Sequence, residues 1–318
     1  MKIQESKYVE QIAFRGARWF NFTSCCIALA VCCAFSSCGQ NSTETSDSTD
    51  DSAVIDLSKE VVSAENVFIY IPSPIQTAEL LKQAGAKYDV GLLNKAENTT
   101  LYTTTASMAL NMGVYGSDLA LAGIFNQSSE TVKFMDCTRK MADGLHVLAA
   151  FDDNRKLRLE NNINNRDSVL SIITDSYWDC DAMLQDNEQE HASALMIAGG
   201  WIEGLYLACR VAESTNSNEI RVRIVEQRPS LDKLIILLDK QEHNDVVPIS
   251  TQLKELKIIF DKLPKSPDQA MNTSKDPNSG VTVIEAENPT EPRSLNALEF
   301  NLILDKITEI RNSVVSGN

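Results

Sequence analysis

Glu188 and His191 stand three residues apart in "QDNEQEHAS". On a helix both would project from one face and could grip one metal ion, the ligand pair of di-iron carboxylate bundles. A complete site of that kind needs a second such pair and two further glutamates. The nearest partner is Asp143-x-x-His146, which Gly144-Leu145 marks as a helix end. Metal binding through His146, Glu188 and His191 is therefore the alternative reading, and the expectation is that the chain holds no metal or cofactor. Nucleophilic chemistry has less to work with, since neither a Gly-x-Ser-x-Gly elbow nor a glycine-rich phosphate loop occurs. Cys137, Cys180 and Cys209 are far apart and odd in number, so they read as buried thiols rather than a disulfide framework. Whether any two of them bridge stays open at this level. Asp175, Asp179 and Asp181 alternate with Tyr177, Trp178 and Cys180, without the turn glycine and closing Glu of a calcium loop. They read as a solvated helix face.

Gly200-x-x-x-Gly204-x-x-x-Ala208 is the more informative pattern. Each glycine inside a helix costs up to about 1 kcal/mol against alanine, so two on one face call for a reason. Close packing of a second helix on Gly200, Gly204 and Ala208 is the expectation, with Gly113 and Gly116 offered as the opposing face. A small-ligand pocket beside Trp201 and Tyr206 is the alternative.

These residues need helices to hold them, and the apolar spacing supplies helices almost throughout. Ser73-Pro74 with Gln76 predicts a capped start that Gly85 ends. Further helices are expected over 104–125, from Ser128 or Ser129 to Gly144, and after Asn165. The most apolar one begins near His191 and should be central. Others are expected at Glu219–Glu226, Leu231–Lys240, Ile249–Leu263 and, behind a Ser294 cap, Leu295–Val314, where Leu298, Leu302 and Ile310 mark an apolar face. "VFIYIPSP" at 67–74 reads as extended, and "VTVIEA" as a single strand within a Pro-, Asn- and Ser-rich linker. The fold class is all-α, a multi-helix bundle of about nine helices. Its organisation is 1–37 leader, 38–53 tether, 54–264 main helical domain, 265–293 linker and 294–318 a C-terminal helix packed on the main domain.

The leader carries its own chemistry. Arg15 and Arg18 precede the apolar run "CCIALAVCCAF", too short for the roughly 20 residues of a membrane span and shaped as a secretory signal. Phe35-Ser36-Ser37-Cys38 is similar to a bacterial lipobox, in which the thiol takes a diacylglycerol and small neighbours admit the peptidase. Lipid on Cys38 would anchor the chain, each buried methylene adding about 0.8 kcal/mol. Residues 39–52 lack large apolar side chains and read as a flexible acidic tether. Glu44 and Asp47 in it resemble surface-export signals.

The whole chain has a net charge of −15. Residues 39–318 hold 25 basic and 42 acidic side chains. That balance argues against nucleic acid and against a grip on anionic lipid heads. The membrane is then reached through the lipid alone. The stretches "IPSPIQTAELL", "ALNMGVYGSDLALA", "NNINNRDSVLSIITDSYW" and "AGGWIEGLYLA" together resemble a family of uncharacterised cell-envelope lipoproteins of Bacteroidota, over about residues 66–213. The resemblance implies a helical fold and an envelope compartment, and transfers no catalytic or binding residue. With no complete catalytic set, the sequence points to a lipid-anchored binding or scaffolding module, with a protein partner in the envelope as one class of ligand. An envelope enzyme or metal-binding bundle is the competing reading.

Overall fold

The computed structural model describes residues 72–263 and 294–317, together with the backbone of strands at Met271–Lys275 and Thr282–Ala286. The expected signal peptide, Cys38, the tether and Val67–Ile71 lie outside the described residues. Ten α-helices are present among those described: α1 Pro74–Gln83, α2 Thr105–Ile124, α3 Ser128–Gly144, α4 Asp153–Asn161, α5 Arg166–Asp186, α6 Glu190–Thr215, α7 Asn218–Val225, α8 Arg228–Asp239, α9 Val247–Lys262 and α10 Ala297–Val315. The chain is an all-α multi-helix bundle. The unforeseen helix is α4, "DNRKLRLEN", whose single buried residue, Leu159, leaves no apolar stripe to read. "VTVIEA" does contain a strand, Thr282–Ala286, and it pairs antiparallel with Met271–Lys275 in the register Met271↔Ala286 to Lys275↔Thr282.

Helix starts follow local chemistry. The Ser73 hydroxyl accepts the Gln76 amide at 3.2 Å while the Gln76 side chain accepts the Ser73 amide at 2.8 Å, a reciprocal cap with Pro74 in the first turn. Thr104 and Ser107 do the same for α2, and Asn165 caps α5. Two starts differ from expectation. Ser128 lies inside α3, behind an uncapped Gln127, and α10 is capped by Asn296 with Glu299 rather than by Ser294. Asn296 wins because Glu299, three residues on, closes the capping box.

The centre of the bundle is α6, which α2, α10, α1 and α7 all contact. Among the described residues it is the one helix long and apolar enough to cross a membrane, and 94% of that apolar window is buried in the protein. It is a core helix. Its crossing with α2 brings backbone to backbone. A Cβ added to Gly199 would fall 1.9 Å from the Leu110 carbonyl oxygen, and one on Gly113 would fall 2.0 Å from the Met196 carbonyl oxygen. The expected pairing of Gly116 with Gly204 does not form. Gly116 instead makes room for Tyr177 of α5, whose hydroxyl donates to the Met112 carbonyl at 2.7 Å. On α10 the buried face is Phe300, Ile303, Leu304, Ile307, Ile310 and Val314, whereas Leu298 and Leu302 are exposed.

Candidate functional site

Two faces of α6 matter, and helical geometry separates them. Glu203 points towards α2 and α10 and is fully buried. The Nε of Arg311, on α10, donates to Glu203 Oε2 at 3.0 Å, and its Nη2 donates to Glu203 Oε1 at 3.2 Å and to the Leu92 carbonyl at 3.3 Å. The guanidinium also lies over the Tyr206 ring, 4.8 Å from its centroid. Asp118, on α2, completes the group and is fully buried as well. Its Oδ2 accepts the Asn94 amide at 3.1 Å, while Oδ1 meets no donor. The two carboxyl groups are within hydrogen-bond reach of each other, and that contact is a bond only if one of them carries a proton. Burial, then the charge of Glu203, push the Asp118 carboxyl well above its ordinary range. Burial also raises Glu203, against the opposing pull of Arg311. One cation cannot neutralise two buried carboxylates. The proton therefore sits on Asp118, which donates to the Glu203 carboxylate held in the arginine fork.

Around this triad the polar groups are satisfied in a connected network. Asn94 Nδ2 donates to the Tyr102 hydroxyl at 2.9 Å and to Asn111 Oδ1 at 3.3 Å, and Asn111 Nδ2 donates to the Val314 carbonyl at 2.9 Å. The Tyr102 hydroxyl donates to the Val315 carbonyl at 3.0 Å. The network ties the end of α10 to the loop before α2. Asp118 and Glu203 are both fully buried, and neither lines either of the two hollows described below. The triad is structural chemistry.

The other face of α6 carries Trp201, Gly204, Leu205 and Ala208, spaced to line up along the helix. They form one wall of a narrow apolar groove of about 50 Å³, with Leu80 and Leu81 of α1 and Ile220 and Ile224 of α7 opposite. Glu219, Arg223 and Gln227 stand at this groove as its polar members. Gly204 keeps it narrow yet open, since a Cβ there would lie 3.3 Å from Thr77 Cγ2. Gly200, in the same row, has ordinary contacts only, the nearest being the Gly113 carbonyl oxygen at 3.6 Å. Trp201 is 5% exposed, and its indole N–H has no hydrogen-bond partner among the described residues. A buried donor left unpaired costs about 1–3 kcal/mol.

The metal set of the alternative reading, His146, Glu188 and His191, does not come together. Among the described residues the group that gathers is His191, His243 and Asp245, and neither Glu188 nor His146 belongs to it. Glu188 occupies the left-handed turn between α5 and α6 (φ 57°), and His146 the turn after α3 (φ 62°). The aspartates of α5 are not a uniformly solvated face. Asp181 is buried and accepts from the Ser193 hydroxyl and from Gln185, and Asp179 pairs with Arg155. Cys137, Cys180 and Cys209 are free, buried thiols. Comparison with known proteins finds no matching family model, curated protein or solved structure.

Sequence reasoning missed Asp118, Asn94, Asn111 and Arg311. The available signal was polarity inside apolar helical stripes: Asp118 interrupts "VYGSDLALA", and Arg311 follows Ile310 on the buried side of α10.

Proposed function

We propose that this chain is a binding module of the bacterial cell envelope, anchored by lipid on Cys38, with its ligand seated in the groove between α1, α6 and α7. The observation that carries the reading is the apolar lining of that groove by Trp201, Leu80, Leu81, Ile220 and Ile224, with Arg223 and Gln227 placed at it. An apolar ligand body would cover Leu80, Leu81, Ile220 and Ile224, and Arg223 and Gln227 would meet its polar end. Ligand pockets combine a mostly apolar lining with a few placed polar groups in this way. The lipobox-like Phe35-Ser36-Ser37-Cys38 and the acidic tether support the envelope anchor, and the acidic body supports a ligand that is not nucleic acid.

The test uses residues 39–318 labelled with ¹⁵N and titrated with decanoate and with 1-decanol. The Trp201 indole N–H resonance should shift with both probes as its ring wall is covered, and Ala208→Leu, which fills the groove from its wall, should abolish the shift. A Trp201 resonance that stays put up to roughly millimolar probe, the weakest binding worth the name, would remove the groove from consideration.

A further inference from the structure

His191 lies in the first turn of α6, and His243 caps the short turn Asn244–Val246 between α8 and α9. Their imidazoles stack with centroids 3.9 Å apart and planes 16° apart. Asp245 closes the group, so that one ligand atom from each of the three residues lies within 4.8 Å of the others. We propose that His191, His243 and Asp245 form a binding site for a divalent transition-metal ion of the zinc class, with a fourth coordination position open to water or a ligand.

The donor set fits the chemistry. Two imidazole nitrogens and one carboxylate oxygen are the ligands of three-coordinate protein sites for Zn²⁺ that keep an open position. Calcium and magnesium prefer all-oxygen shells and are disfavoured. Tetrahedral ligands at 2.0–2.1 Å from the metal stand about 3.3 Å apart. Parallel stacked rings cannot both aim a lone pair at one ion, so binding has to unstack the two imidazoles by rotation of these partly exposed side chains. The Asp245 amide donates to His243 Nδ1 at 3.2 Å, so the turn that carries Asp245 is already folded onto the His243 ring, and a metal ligated through that nitrogen would displace this contact. Backbone geometry holds the parts: Glu242 takes a left-handed φ of 46° just before His243. The positive end of α6 opposes a cation, and Glu190 in its first turn counters it.

This site is independent of the Trp201 groove. It joins the start of α6 to the α8–α9 turn, so metal should bridge two elements that otherwise meet through a stacked ring pair. His243 also lines a separate hollow of about 170 Å³ that carries Asp239, Glu242 and Lys254.

The experiment is a titration of the full chain, held in lipid nanodiscs, with Co²⁺ and then Zn²⁺. Cobalt should give the intense visible bands of tetrahedral coordination at one equivalent per chain, and Zn²⁺ should displace it. Every sample shares all other side chains, so the test is the difference between variants. His191→Ala, His243→Ala and Asp245→Ala should each remove that equivalent or weaken it at least about 10-fold, the smallest loss seen even for residues one shell further out. Glu188→Gln and His146→Ala should bind as the parent does. Thermal melts of the metal-free variants separate loss of ligands from loss of fold, and Zn²⁺ should raise the parent's melting temperature but not that of His243→Ala. If the three variants bind like the parent, or if the parent takes up no equivalent, the site does not exist.

Discussion

Replacing Asp118 by asparagine should stabilise the protein at neutral pH, although the carboxyl is fully buried and hydrogen-bonded. Asparagine keeps both contacts in kind: its carbonyl can accept the Asn94 amide, and its NH₂ can donate to Glu203. What it removes is the proton that the native acid must take up on folding. A carboxyl whose folded pKa is raised contributes stability that is fully present below its unfolded pKa and is lost as pH climbs through the folded value. Asp118 is such a group. Wild-type stability therefore falls relative to Asp118→Asn by up to about 1.4 kcal/mol for each pH unit above the unfolded value, or up to about 4 kcal/mol between pH 5 and pH 8. Glu203→Gln should behave in the opposite way. It leaves Arg311 buried without its carboxylate, which costs about 3–5 kcal/mol when one partner of a buried pair is removed. Denaturant melts of both variants and the parent at each pH unit from 5 to 8 make the comparison. A stability difference for Asp118→Asn that does not change with pH would refute the placement of the proton, as would a loss matching that of Glu203→Gln.

Two further outcomes follow from the geometry. Gly199→Ala should lose about 1–3 kcal/mol or more by forcing α6 off the Leu110 backbone, whereas Gly200→Ala, with nothing nearer than 3.6 Å, should gain up to about 1 kcal/mol of helix propensity; thermal melts of the two neighbours distinguish packing from propensity. Thiol labelling followed by peptide mapping should leave Cys137, Cys180 and Cys209 unmodified until denaturant is added, because burial removes access and also pushes the Cys137 thiol up to about 12, with the other two raised in the same direction.

Helices were legible in the residues themselves wherever an apolar stripe met a cap. Ser73-Pro74-x-Gln76, Thr104 and Asn165 start helices because each satisfies amide groups three residues away, a matter settled within one turn of chain. The same locality explains the failure at α4, where charged residues leave only Leu159 to bury. The groove was half visible. Gly200, Gly204 and Ala208 share a row that sequence can count, but which neighbour covers the row depends on how α1 and α7 dock. The structure sets Thr77 against Gly204 and reserves the backbone crossing with α2 for Gly199 and Gly113.

By itself, then, the amino-acid sequence determined the helical class, the centrality of the apolar α6 and the acidic balance of the chain, because periodicity and composition are properties of neighbouring residues. Tertiary structure alone decided which polar side chains meet. Glu203 and Arg311 are separated by 108 residues, and His191 and His243 by 52 positions along the chain. No local pattern reports such pairs, since they exist only where packed helices exclude water and leave each charge one partner.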